Sequence, residues 1–158
     1  MKTLVIGLGN PILTDDGVGI YTARALHTML PPDARVEVVE LSVGGLMLME
    51  TMVGYDHVIL IDALWVPADR TGEVAVFDVG DMPETLNTRS THDVDLPTAL
   101  RIGRTLGAPL PVDHQIQIVA ITAHDVLDFC EQPSARVLAA IPAACEVVLE
   151  LLRVPVME

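Results

Sequence analysis

The run Thr3-Leu4-Val5-Ile6-Gly7-Leu8 shows no alternation of apolar and polar residues, and it leads straight into Gly9-Asn10-Pro11. A strand with one wet face alternates, whereas a strand this uniformly apolar needs helices on both sides of its sheet. Beyond the glycine turn, Val18 to Met29 carries apolar residues at helical spacing as far as Pro31-Pro32. A buried strand, a glycine turn and a helix in that order form the opening unit of an α/β sheet.

The remainder continues the pattern. Val36 to Leu41 alternates as a strand before Gly44-Gly45, and Leu46 to Val53 forms a methionine-rich helix ending near Gly54. His57 to Ile61 reads as a third strand ending at Asp62, and Glu73 to Val79 as another near a sheet edge, after a tight turn at Arg70 to Gly72. Residues 80 to 91 are polar and aperiodic. Asp95 is placed to cap a helix running to about Leu106, with Pro97 tolerated in its first turn. Gln115 to Ile121 is the last strand, and Val137, Leu138, Ile141, Cys145, Val148, Leu149 and Leu152 form the stripe of a long closing helix that Pro142 should kink. Strands alternating with helices predict an α/β fold, a three-layer α/β/α arrangement with a twisted, mostly parallel five-stranded sheet and helices on both faces. Without linker or repeat, residues 1–158 form a single domain.

Composition narrows the function classes. The chain has 158 residues, 51% of them hydrophobic but only 3% aromatic, so its core is aliphatic and a base-stacking platform is not expected. With 22 acidic against 9 basic residues the formal charge is −13, which would repel a phosphate backbone and excludes nucleic acid as a partner. The N-terminal run is too short for a signal peptide, and no apolar stretch is long enough to span a bilayer. Two cysteines, Cys130 and Cys145, argue against a disulfide framework and for a reducing, cytoplasmic setting; both fall on or beside apolar helix positions and read as small core residues.

In an open parallel sheet, ligands bind at the carboxyl ends of the strands, where successive connections diverge to opposite faces. Thr14-Asp15-Asp16-Gly17-Val18-Gly19 follows the first strand, and Asp62 ends the third. If those strands are neighbours, Asp15 and Asp16 approach Asp62, and the loop carrying Ser90-Thr91-His92-Asp93 is free to fold over the same edge. Carboxylates with one imidazole suit a borderline divalent metal, or general acid–base work. A Ser or Cys triad is less convincing, because no Gly-x-Ser-x-Gly elbow is present. Each residue also has a plainer reading: Thr14 or Asp15 as a helix cap, Asp62 as an acceptor for loop amides, His92 as an ordinary loop residue. Gly7-x-Gly9 hints at dinucleotide binding, but position 12 is Ile where that fingerprint needs glycine.

Taken together, Gly7-Leu8-Gly9-Asn10, Asp15-Asp16-Gly17-Val18-Gly19, Ile61-Asp62-Ala63, Ser90-Thr91-His92-Asp93 and a closing helix with an internal Pro142 resemble the hydrogenase maturation endopeptidases, over nearly the whole chain. The resemblance implies an enzyme that recognises nickel already inserted in the large subunit precursor of a nickel–iron hydrogenase and removes its C-terminal extension. It puts the metal-binding and catalytic roles on Asp16, Asp62 and His92, and client contacts on Gly9, Asn10, Asp15, Gly44 and Gly45. Nickel would come with the client, and zinc or cadmium could substitute for it. Neither Asp62 nor His92 is expected in the core, and a monomer is expected. Two loops depart from the family pattern, Gly44-Gly45 after the second strand and Thr122-Ala123-His124 after the last; both bear on which client is taken.

Two rival readings share parts of this pattern. Peptidyl-tRNA hydrolases also open with a strand and Gly-Leu-Gly-Asn-Pro, but Asp15-Asp16 stands where their active-site segment would fall, and their basic surface is missing. A non-catalytic metallochaperone or client-binding maturation factor would use the same carboxylates without cutting.

Overall fold

The computed structural model describes residues 1–81 and 94–153. Five strands form one sheet in the order β2-β1-β3-β5-β4: β1 Thr3–Leu8, β2 Val36–Leu41, β3 His57–Trp65, β4 Val74–Asp78 and β5 Ile116–Ala123. All neighbours are parallel except β4, which runs antiparallel to β5 at the edge foreseen for it. Every residue of β1 is buried, as its lack of alternation requires.

Successive side chains leave a strand on opposite faces, so each central strand feeds two cores. On one face Val5, Ile59, Ile61, Val119 and Ile121 pack against α1 (Val18–Met29) and α4 (Ala135–Arg153). On the other, Leu4, Ile6, Leu8, Val58, Leu60 and Ile118 pack against α2 (Gly45–Thr51) and α3 (Leu96–Thr105). The result is the expected three-layer α/β/α sandwich. Full burial of each Leu or Ile contributes about 1.5–3 kcal/mol, and the sheet's two-sided coverage lets one strand supply both cores.

Asp95 caps α3 as its position suggests: its side chain accepts a 2.8 Å hydrogen bond from Thr98 N. That bond to the ionised form holds the Asp95 carboxyl below its ordinary range. α4 continues through Pro142 as one helix. Cys145 is buried among the core residues of α4, whereas Cys130 is exposed in the loop after β5, against the expectation of a core position for both.

One difference bears on the site. β3 does not stop at Ile61 but runs to Trp65, because β5 extends beside it with Asp62 opposite Ala120 and Trp65 opposite Ala123. Asp62 therefore lies within a strand, at 0% exposure, and not in a loop outside the core.

The order of the strands fixes where a ligand can sit. The chain leaves β1 through α1 to reach β2 on one side, then returns through α2, on the opposite face, to β3 on the other side of β1. The carboxyl ends of β1 and β3 thus flank the switch point of the sheet.

Candidate functional site

At the end of β1 the chain turns sharply. Gly9 sits at φ +141°, a region closed to most side chains, and a Cβ there would overlap the carbonyl oxygen of Asp16. Its absence lets the single-turn 3₁₀ segment Thr14–Gly17 fold back onto the strand end. Gly9 is also tied to the second connection: its N–H donates to Leu41 O at 3.1 Å and its carbonyl accepts from Ser42 Oγ at 2.8 Å. Gly44 and Gly45, at the start of α2, follow from that connection along the same edge.

Within the turn, Asp16 is buried and its Oδ2 accepts from Asn10 N at 2.9 Å. Asn10 Oδ1 in turn accepts from Ile12 N at 3.2 Å. These bonds orient the Asp16 carboxylate from the protein side, so the role visible for Asn10 is to hold an acid in place.

Asp15 points elsewhere. Both its oxygens engage Ser134, Oδ1 accepting from the backbone N at 2.6 Å and Oδ2 from the hydroxyl at 2.8 Å. Ser134 immediately precedes α4, so the carboxylate ties the first turn to the N-terminus of the last helix, where the helix dipole favours negative charge. The helix-cap reading of Thr14 and Asp15 is replaced: α1 starts after Gly17 with no side-chain cap. Ser134→Ala removes one hydrogen bond to a buried carboxylate, and we expect about 1–3 kcal/mol of destabilisation, seen as a lower urea midpoint with an unchanged slope.

Thr14 itself has φ 44°, a strained conformation for a β-branched residue. The loop after β5 holds it there. Thr14 N donates to Cys130 O at 2.9 Å, Thr14 Oγ1 to Asp128 O at 2.7 Å, Asp15 N to Asp125 O at 3.0 Å and Cys130 N to Ile12 O at 3.0 Å. Residues 125 to 134 thus clamp the acidic turn, a role that the sequence reading missed. Backbone acceptors carry most of the clamp, and they leave no signature in side-chain identity.

Asp62 approaches the same edge from β3. Its Oδ1 accepts from Ala63 N at 2.8 Å, and by alternation it lies on the face of Val58 and Leu60. Gly19, at the start of α1, packs against the backbone of both Leu8 and Ile61, which seats the helix following Asp16 on the residue preceding Asp62. Asp16 and Asp62 thus stand at the carboxyl ends of neighbouring strands, each buried and each with one oxygen fixed by a backbone N–H. Carboxylate oxygens supported in that way are donors of the kind a divalent cation takes. His92, with Ser90, Thr91 and Asp93, lies outside the described residues. Among the described residues, no group of three His, Cys, Asp or Glu is placed to hold a metal.

Comparison with known proteins agrees with this architecture. The HycI hydrogenase maturation protease family matches residues 20–151. The chain is 28% identical to the Hydrogenase 2 maturation protease of Escherichia coli, over 68% of this chain and 66% of that protein, just under two thirds of its length. Against the hydrogenase expression/formation protein HupD of Rhizobium leguminosarum bv. viciae it is 23% identical, over 96% of this chain and 74% of HupD. Its fold superposes on the hydrogenase maturating endopeptidase HybD from E. coli with a TM-score of 0.75 at 28% identity, covering 97% of this chain and 93% of HybD. The chain belongs to the hydrogenase maturation protease family, a family of peptide hydrolases.

Proposed function

We propose that this protein is an endopeptidase that removes the C-terminal extension of the nickel-loaded large subunit precursor of a nickel–iron hydrogenase, reading the bound nickel through Asp16, Asp62 and His92. The observation that carries the reading is that, in a chain of this family, Asp16 and Asp62 are buried at the carboxyl ends of the neighbouring strands β1 and β3, each oriented by a backbone N–H. Two carboxylates and an imidazole leave coordination positions open, and the nickel arrives with groups of its own protein to fill them. Such a set binds free metal weakly and metal in a client well. Zinc or cadmium would occupy it by the same donor chemistry.

Peptide hydrolysis needs a water to attack the scissile carbonyl carbon, a base for the water's proton and an acid for the leaving amine. A carboxylate at this edge takes the proton from water as the carbon–oxygen bond forms and returns it to the amine as the carbon–nitrogen bond breaks. Gly9, Asn10, Asp15, Gly44 and Gly45 build the surrounding rim, with Asn10 and Asp15 acting through Asp16 and Ser134. Among the described residues no helix is long and apolar enough to cross a membrane, and both cysteines are free. We place the protein in the cytoplasm, as a monomer that docks one client.

Mass spectrometry of the precursor after incubation with this protein tests the reading. The expected result is a discrete loss of the C-terminal tail in nickel-loaded precursor and none in nickel-free precursor. An intact tail in both samples would overturn it, and tight binding without cutting would instead indicate a client-binding maturation factor.

A further inference from the structure

We infer that Ile12, Leu127 and Phe129 form a docking ledge for the body of the large subunit precursor, at a face where that partner carries an apolar socket bordered by Lys or Arg. The inference rests on the proposed function and says where the client is gripped.

Phe129 is 84% exposed and Leu127 78% exposed, in a protein whose composition is only 3% aromatic. Neither belongs to either core, although Val126 beside them is buried and anchors the loop. Large apolar side chains this exposed, two residues apart on one loop, mark a candidate interaction surface. Here the backbone beneath them is fixed by the clamp on the acidic turn: Cys130 N bonds to Ile12 O, and Thr14 and Asp15 bond to residues 125, 128 and 130. The side chains are thus presented on an ordered backbone, which lowers the entropy lost on binding.

Position and charge identify the occupant. Ile12 is exposed on the strand-like segment that pairs with Cys130, four residues before Asp16, so a protein seated on the ledge lies alongside the acidic turn. Asp125, Asp128 and Glu131 recur at every third position among the apolar residues of the loop. A second copy of this chain, at a net charge of −13 and bearing the same acids, would be repelled; a basic-rimmed client would be attracted.

The test uses nickel-loaded precursor and the full-length protein with Leu127→Ser and Phe129→Ser combined. KM is expected to rise about tenfold or more with kcat within about twofold, since the ledge grips the client away from the reacting atoms. Because both side chains are exposed, the thermal midpoint should stay at the wild-type value. Asp128→Lys should raise KM and flatten its dependence on salt. Leu106→Ser, an equally exposed leucine at the end of α3, should leave KM unchanged. A wild-type KM in the double variant, with wild-type protein cleaving normally, overturns the ledge and leaves the proposed function standing. No cleavage by wild-type protein overturns both. A wild-type dimer that the double variant dissociates would assign the ledge to a second copy and likewise overturn the inference.

Discussion

Asp62→Asn is expected to abolish precursor processing while leaving the protein folded, and the choice of asparagine follows from where the carboxylate sits. Asp62 is fully buried in β3, one residue beyond the Gly7 and Ile61 pair, with Oδ1 accepting from Ala63 N. Asparagine keeps the volume and can present its amide oxygen to the same N–H, so the strand is preserved. It loses the charge, and with it the strength of the oxygen as a metal ligand and its capacity to take a proton. A loss of roughly 10²–10⁴ in rate is expected, the range of a single general base. Alanine is a poorer probe: it would leave the Ala63 N–H without its partner in a buried strand, costing about 1–3 kcal/mol, and would open a cavity besides. A time course by mass spectrometry, with a thermal melt of the same sample, separates the outcomes. Processing at wild-type rate by a folded Asp62→Asn protein would remove Asp62 from the site.

The need for that choice shows where sequence reading stops. An aspartate after four apolar residues predicts a strand ending at Ile61, yet pairing with β5 carries the strand on to Trp65. Local polarity was outweighed by a long-range ladder, which no window along the chain contains. The sheet itself was legible, since strands buried on both faces announce themselves by unbroken apolar runs, and so was the pairing of β1 with β3, since alternating crossovers put their ends side by side. Asp15 shows the opposite limit. It is adjacent to Asp16 and chemically identical, but its partner is Ser134, more than a hundred residues away. Only the three-dimensional structure separates an acid bonded to the last helix from one bonded within its own turn. The clamp on Thr14 was illegible for a further reason: it is made largely of carbonyl oxygens, which every residue has.

Gly19→Ala should destabilise the protein by about 3 kcal/mol or more and stop processing, although alanine is the better helix former by about 1 kcal/mol. The local preference and the tertiary contact oppose each other here, and magnitude decides between them. A Cβ at position 19 would overlap the carbonyl oxygens of both Leu8 and Ile61. Those atoms belong to the two central strands and cannot move apart without disturbing the ladder of β1 and β3, so α1 must lift from the sheet. Lifting it loosens the packing of Val18 and Leu26 and shifts the turn just before it, which carries Asp16. Gly54→Ala is the matched control. Gly54 has φ +84° but nothing within 4 Å of an added Cβ, so that change costs only the backbone strain of about 1–2 kcal/mol and leaves processing intact. Urea melts of the two variants, read alongside their processing rates, should therefore differ in both midpoint and activity. If Gly19→Ala were as stable as wild type, α1 would not be seated on β1 and β3 as described, and the placement of the turn that carries Asp16 would have to be redrawn.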